Sequence, residues 1–189
     1  AVRYLLDKGQ YVFRMGCISN KPVSLKDPRY IDYSTEDRDD FLDIYLVAKC
    51  KFFLGNSSGI QDLTYLFDRP TAGVNWVPFG TTLVGKNCIF IPKKLKTKDG
   101  RRTVNIDQYP HLLRSIEEFE GNGNAMSKAG YRYEDNTPEE ILELTKEMIG
   151  RLEGTWSPTD HEQHLLNQYF DSIPNNFQSY QIRTPVGLD

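Results

Sequence analysis

Apolar positions along the chain switch between short continuous runs and helical spacings, and this switching predicts the elements. Val2, Leu5 and Leu6 recur at helical spacing over residues 1–8, and Gly9 ends that helix. Residues 10–15 (QYVFRM) are rich in strand formers and break at Gly16, and residues 30–33 (YIDY) make a second short strand. Ser34, Thr35, Glu36 and Asp37 offer capping oxygens, after which Phe41, Ile44, Tyr45 and Ala48 predict a helix to about Lys49. Residues 51–54 (KFFL) form a third strand, and residues 60–67 an almost all-round apolar helix ended by Arg69 and Pro70. Residues 71–76 (TAGVNW) and 88–91 (CIFI) are further strands. From about residue 104 the pattern turns helical, over roughly 108–119, 138–150 and 158–170. Thr137-Pro138-Glu139-Glu140 starts the middle helix with a capping threonine, a proline at the first position and acids in the first turn.

Alternating strands and helices, with strands that are apolar throughout rather than every second residue, imply an α/β fold. The expected form is a Rossmann-like three-layer parallel sheet with helices on both faces, followed by a helical C-terminal segment. The boundary falls near residue 103, with a core over 1–103 and a helical part over 104–189 packing on the same domain. The chain opens inside a helix at Ala1 and reaches Asp189 without a stop signal. The expectation is therefore a sheet short of one strand, completed by an N-terminal half or a partner domain.

Composition narrows the function classes. The 189 residues carry 23 Lys and Arg against 26 Asp and Glu, a formal charge of −3. That balance excludes a global basic field, so nucleic acid is not an expected partner. No apolar run approaches the roughly 18–20 residues needed to cross a bilayer, and AVRYLLDKGQ has no signal-peptide core. The expected compartment is cytoplasmic, with membrane contact peripheral at most and confined to the inner membrane surface. Cys17, Cys50 and Cys88 are odd in number and far apart, which favours reduced thiols over a disulfide framework or a zinc site. His161 and His164 share a helix face but lack a third ligand of clear spacing, and nothing positions His111, so no metal is expected.

The segment with the clearest chemistry is Gly55-Asn56-Ser57-Ser58-Gly59, set between a buried strand and a helix. Small residues let a ligand approach the backbone, serines and asparagine add donors, and the helix N-terminus presents free N–H groups with a positive dipole end. Such a turn suits a diphosphate at the carboxyl edge of a parallel sheet. A capped turn with no ligand is the bland alternative, since the pattern is neither a P-loop nor G-x-G-x-x-G.

The stretch GNSSGIQDLTYLFDRPTAGVN resembles the diphosphate-binding loop and helix in the C-terminal domain of GT-B glycosyltransferases. It is also similar to the corresponding loop of non-hydrolysing UDP-N-acetylglucosamine 2-epimerases. The ordered set YVFRMG, YIDYSTEDRDDFLDIYLVAKCKFFLGNSSGI, NWVPFG, IFIPK and NTPEEI resembles a family of bacterial surface-polysaccharide glycosyltransferases of GT-B type, over about residues 1–150. The resemblance implies a donor-binding half that takes a nucleotide-diphosphate sugar as substrate, uses no cofactor, and delivers the sugar to a glycan or lipid-linked acceptor. It implies that Gly55, Asn56, Ser57, Ser58 and Gly59 hold the donor diphosphate. Two other readings remain open: a UDP-sugar 2-epimerase-like enzyme, and a non-catalytic nucleotide-sugar-binding module.

Other residues complete the candidate site. Arg14, at the carboxyl end of the first strand, would stabilise the departing diphosphate as the catalytic cation; the alternative is a surface arginine paired with Asp32 or Glu36. Gly16, Asp32, Tyr33, Asn75 and Trp76 are candidates for a nucleoside or sugar pocket, Asp32 through ribose hydroxyls and Trp76 as a stacking face. For Trp76 the competing reading is packing in the core. The other acids between Asp32 and Asp43 read mainly as charge complementing a helix dipole. Lys86, Lys93, Lys94, Lys96, Lys98, Arg101 and Arg102 form a basic segment, either a solvated loop or a patch facing an anionic glycan, a nucleotide or the inner membrane surface.

Overall fold

A computed structural model describes residues 1–16, 22–35, 39–77, 87–105, 108, 112 and 123–172. The order of elements begins with α1 (Val2–Asp7), β1 (Val12–Phe13) and β2 (Tyr30–Ile31), then α2 (Asp40–Lys49), β3 (Phe53–Gly55) and α3 (Gly59–Leu66). Next come β4 (Thr71–Trp76), β5 (Cys88–Pro92), β6 (Lys94–Thr97), α4 (Gly123–Lys128) and β7 (Tyr131–Glu134). The helices α5 (Pro138–Leu152) and α6 (Asp160–Ser172) close the described chain.

Mixed helices and parallel strands make this an α/β structure. β1 pairs in parallel with β2, and β3, β4 and β5 form a separate parallel sheet in that order. Among the described residues β1 and β3 are thus both edge strands, each with one row of backbone groups outside its ladder. β4 carries the main core because it is central and covered on both sides. Ala72 is fully buried, Val74 nearly so, and both pack with Leu144 and Met148 of α5 against Leu54, Ile89 and Ile91. A second cluster, Leu95, Val104 and Met126 with Leu112, Tyr131 and Tyr133, lies under the antiparallel pair β6–β7.

Several expectations shift. Strand 10–15 shrinks to Val12–Phe13, and Tyr33 leaves the second strand for a 3-10 turn over Tyr33–Thr35. The cap of α2 is Asp39, whose carboxylate accepts from the Leu42 N–H at 3.0 Å. Phe41, Ile44 and Tyr45 do not form a buried stripe: α2 buries Val47 and leaves those three exposed, with Phe41 and Tyr45 stacked on each other. The segment after residue 104 is not purely helical, because β7 returns to pair with β6. The expected helix at 108–119 lies outside the described residues except for 108 and 112, as do Cys17, Glu36, Asp37, Lys86 and His111.

α5 begins where the sequence places it. Thr137 Oγ1 accepts from the Glu140 N–H at 3.2 Å while the Glu140 carboxylate accepts from the Thr137 N–H at 2.8 Å, a reciprocal capping box. Thr137→Ala is expected to lower stability by about 1 kcal/mol, measured by urea denaturation. An unchanged midpoint would show that the cap adds nothing to a helix already held by Met148 in the core.

Candidate functional site

The Gly55–Gly59 turn stands at the carboxyl end of β3 and opens α3. Asn56, Ser58 and Gly59 are exposed and Ser57 is half-buried. Ser57 Oγ donates to the Val77 carbonyl at 3.0 Å, tying the turn to the end of β4. Ser58 is the N-cap of α3, yet its side chain makes no capping bond; its Oγ donates weakly to the Asn56 carbonyl at 3.4 Å. The first amides of α3 to bond back are Gln61 and Asp62, both to the Ser58 carbonyl. The Ser58, Gly59 and Ile60 N–H groups therefore make no hydrogen bond to another described residue, as the first turn of any helix requires. Neither glycine takes a left-handed φ. Gly55 is needed because a Cβ there would come 2.7 Å from the Phe53 ring, whereas a Cβ on Gly59 meets nothing within 4 Å.

The neighbouring edge is held by Asn75, one of the pocket candidates, and by Asn136, which the sequence reading did not single out. Asn75 sits in β4 with φ +50, beside an irregularity in the β4–β5 register. Its N–H donates to Asn136 Oδ1 at 2.5 Å, and the Asn136 N–H returns to Asn75 Oδ1 at 2.6 Å. Asn136 Nδ2 also donates to the Pro92 carbonyl at 2.9 Å. This latch joins the ends of β4 and β5 to the start of α5, and Lys93 adds an ion pair to Asp135 at 2.7 Å. Asn75 thus has a structural task that accounts for its conformation, and its carbonyl oxygen is not turned to a pocket. The only signal for Asn136 is its place just before Thr137-Pro138, where an asparagine suits a turn.

Trp76 is corrected from sugar platform to core: it is 4% exposed and packs at a tilt on Phe90 with ring centroids 6.0 Å apart. Parallel strands are covered on both faces, so an aromatic at a strand end need not face a ligand. Tyr33 is also buried, its hydroxyl donating to the Asp39 carbonyl and accepting from the Asp39 N–H, which fixes the approach to α2. Gly16 adopts φ +125 with open space where a Cβ would lie.

Arg14 and Asp32 find each other. The Arg14 guanidinium reaches both carboxylate oxygens, at 3.1 and 2.9 Å. Asp32 also accepts from the Ser34 hydroxyl at 2.6 Å and from the Val23 N–H at 2.9 Å. Its oxygens are thereby engaged and not open to ribose hydroxyls. Among the described residues no hydrogen bond or ion pair links Arg14 to the Gly55–Gly59 turn, so the contacts do not unite the two predicted halves of the site. The Ser34 hydroxyl and the Val23 N–H, with Arg14 adding to them, hold the Asp32 carboxyl below the usual carboxylate range. A depressed carboxyl contributes stability that is present above its unfolded value and lost as pH falls through its folded value. An NMR titration of the Asp32 carboxyl carbon is expected to show a midpoint below that of a free aspartate, with the Val23 amide released in the same acid range. A midpoint at or above the free value would contradict this geometry.

Among the described residues no group of His, Cys, Asp and Glu is arranged to hold a metal ion, and no helix is long and apolar enough to cross a membrane. Burial raises the Cys50 and Cys88 thiols above their ordinary value, which disfavours the thiolate in both half-buried groups. No protein-family model, curated protein or solved structure matches the chain.

Proposed function

We propose that this chain is the donor-binding half of a GT-B-type glycosyltransferase, moving a sugar from a nucleotide-diphosphate donor to a glycan or lipid-linked acceptor without a metal. The observation that carries the reading is the exposed Gly55–Gly59 turn, whose Ser58, Gly59 and Ile60 amides are unspent at the positive end of α3. The diphosphate would lie against these amides, which would also take the charge developing on the leaving group. The three-layer Rossmann-like arrangement belongs to the same proposal, in which a further parallel strand would join the β1–β2 pair and the β3–β4–β5 sheet into one. The setting is cytoplasmic, with membrane contact peripheral at most.

The Arg14–Asp32 pair favours one second reading. A guanidinium already matched by a carboxylate brings no net charge to a departing diphosphate, so a non-catalytic nucleotide-sugar-binding module would keep the turn without the catalytic cation. Calorimetric titration with UDP, GDP and ADP tests the binding shared by both readings. At least one is expected to bind, and Ser58→Ala to weaken it. Absence of binding by all three would sink the proposal, and binding without sugar release from any donor would favour the module over the transferase.

A further inference from the structure

The antiparallel β6–β7 pair concentrates positive charge within an acidic chain. Residues 93–103 and 128–134 carry eight lysines and arginines and only two acids, Asp99 and Glu134, within a chain of net charge −3. The register explains how they are displayed. Leu95 opposite Tyr133 and Thr97 opposite Tyr131 face the cluster beneath, so Lys94 opposite Glu134 and Lys96 opposite Arg132 take the other face. Lys96 and Arg132 are like charges directly across a ladder, an arrangement that weakens an antiparallel pair. Lys94 and Lys96 are matched by Glu140 and Glu134 at 2.5 and 2.8 Å.

The end of the pair next to Thr97 and Tyr131 is different. Lys98, Arg101, Arg102, Lys128 and Arg132 are all exposed there. Arg101 reaches only Asp99, at 3.7 Å, and among the described residues no carboxylate stands within ion-pair distance of the other four. Arg132 lies across the Gly100 turn, its guanidinium 2.7 Å from where a Cβ on Gly100 would be, so Gly100 (φ +74) keeps the cation laid over the bend. Next to this end opens a pocket of about 280 Å³ lined by Arg102, Gln108, Leu112 and Tyr131. Among the described residues its lining offers the Arg102 guanidinium, which donates to Gln108 Oε1 at 3.2 Å, and an apolar wall of Leu112 and the Tyr131 ring. That set suits a single polar ring bearing one anionic group, and the volume is near the lower bound of roughly 300 Å³ for small-ligand pockets.

The geometry points to a binding site for an acidic polysaccharide, with one uronate-type ring seated against Tyr131 and Leu112, its carboxylate on Arg102, and neighbouring anionic units on Lys98, Arg101, Lys128 and Arg132. A lipid surface fits less well, because among the described residues the large apolar side chains that are exposed (Phe13, Phe41, Leu66 and others) belong to other elements. Single-stranded nucleic acid would call for successive exposed stacking aromatics, and the described face offers Tyr131 and Tyr133, both half-buried against the cluster beneath. The site is separate from the Gly55–Gly59 turn and does not depend on nucleotide binding there.

The test uses oligogalacturonate as the acidic probe, a maltooligosaccharide of equal length as the neutral one, and phosphatidylglycerol–phosphatidylcholine vesicles as the lipid one. The acidic oligomer is expected to bind with an affinity that falls as salt rises, and Arg102→Ala to weaken it about tenfold or more, the worth of one charge-assisted hydrogen bond. Arg132→Ala, outside the pocket, is expected to reduce the salt dependence and weaken binding less. Both are surface changes, and thermal melts confirm that each variant folds. Equal binding of acidic and neutral oligomers, unchanged affinity in both variants, or binding of vesicles without the oligomer would each overturn the inference.

Discussion

Asn136→Ala is expected to destabilise the protein by about 2–4 kcal/mol, since each buried hydrogen-bonding group left unpaired costs roughly 1–3 kcal/mol. Asn136 is only 8% exposed, and its side chain serves two backbone groups at once. Alanine strands the Asn75 N–H, which loses its acceptor, and the Pro92 carbonyl, which loses its donor. Asn75 is already in a left-handed conformation that a non-glycine residue holds only when its surroundings compensate. Removing the latch therefore also frees the β4 irregularity that the latch holds in place. Asn136→Asp separates the two contributions, because it keeps an acceptor for Asn75 and loses the donor to Pro92; an intermediate loss is expected. For a chain of this size, 1 kcal/mol moves the melting temperature by about 2–4 °C, so the alanine variant is readily measured by calorimetry. A shift below one degree would mean that water replaces both partners and that the latch is not structural.

What was legible in the sequence depended on how local the governing physics is. β4 coincides with the predicted strand 71–76 because TAGVNW, small and mostly apolar, follows a helix-ending Arg69-Pro70 and suits a strand buried on both faces. The start of α5 was legible because Thr137, Pro138 and Glu140 act within one turn. β6 and β7 were not: KLKT and YRYE do alternate, but four residues with lysines and arginines outward resemble a solvated loop until their partners are known. The Asn75–Asn136 latch spans 61 positions and leaves no periodic trace. The candidate site divides along the same line. The Gly55–Gly59 turn was visible because strand, small residues and helix are contiguous. The roles given to Trp76 and Asp32 depended on which way a side chain points, and in these two cases packing and a salt bridge took them from the ligand.

Gly59→Val is expected to weaken nucleoside diphosphate binding at least tenfold, about 1.4 kcal/mol, while leaving the fold intact. Gly59 is the first residue of α3, is exposed, and lacks a left-handed φ, so valine enters without backbone strain. Outside the adjoining backbone nothing lies within 4 Å of the new Cβ, which therefore enters open space. Valine at a first helical position also costs only tenths of a kcal/mol in propensity. The isopropyl group instead occupies the space through which a phosphate must come to within about 3 Å of the Ser58, Gly59 and Ile60 amides. This makes the variant a sharper probe than Ser57→Ala, which also removes the bond to the Val77 carbonyl and loosens the turn itself. Gly59→Ala is expected to fall between wild type and valine, since one methyl excludes less of the approach. Calorimetric titration alongside a thermal melt reads both quantities. Full affinity in a folded valine variant would show that the amides of α3 do not hold the phosphate, and the charge would then have to be met elsewhere on the molecule.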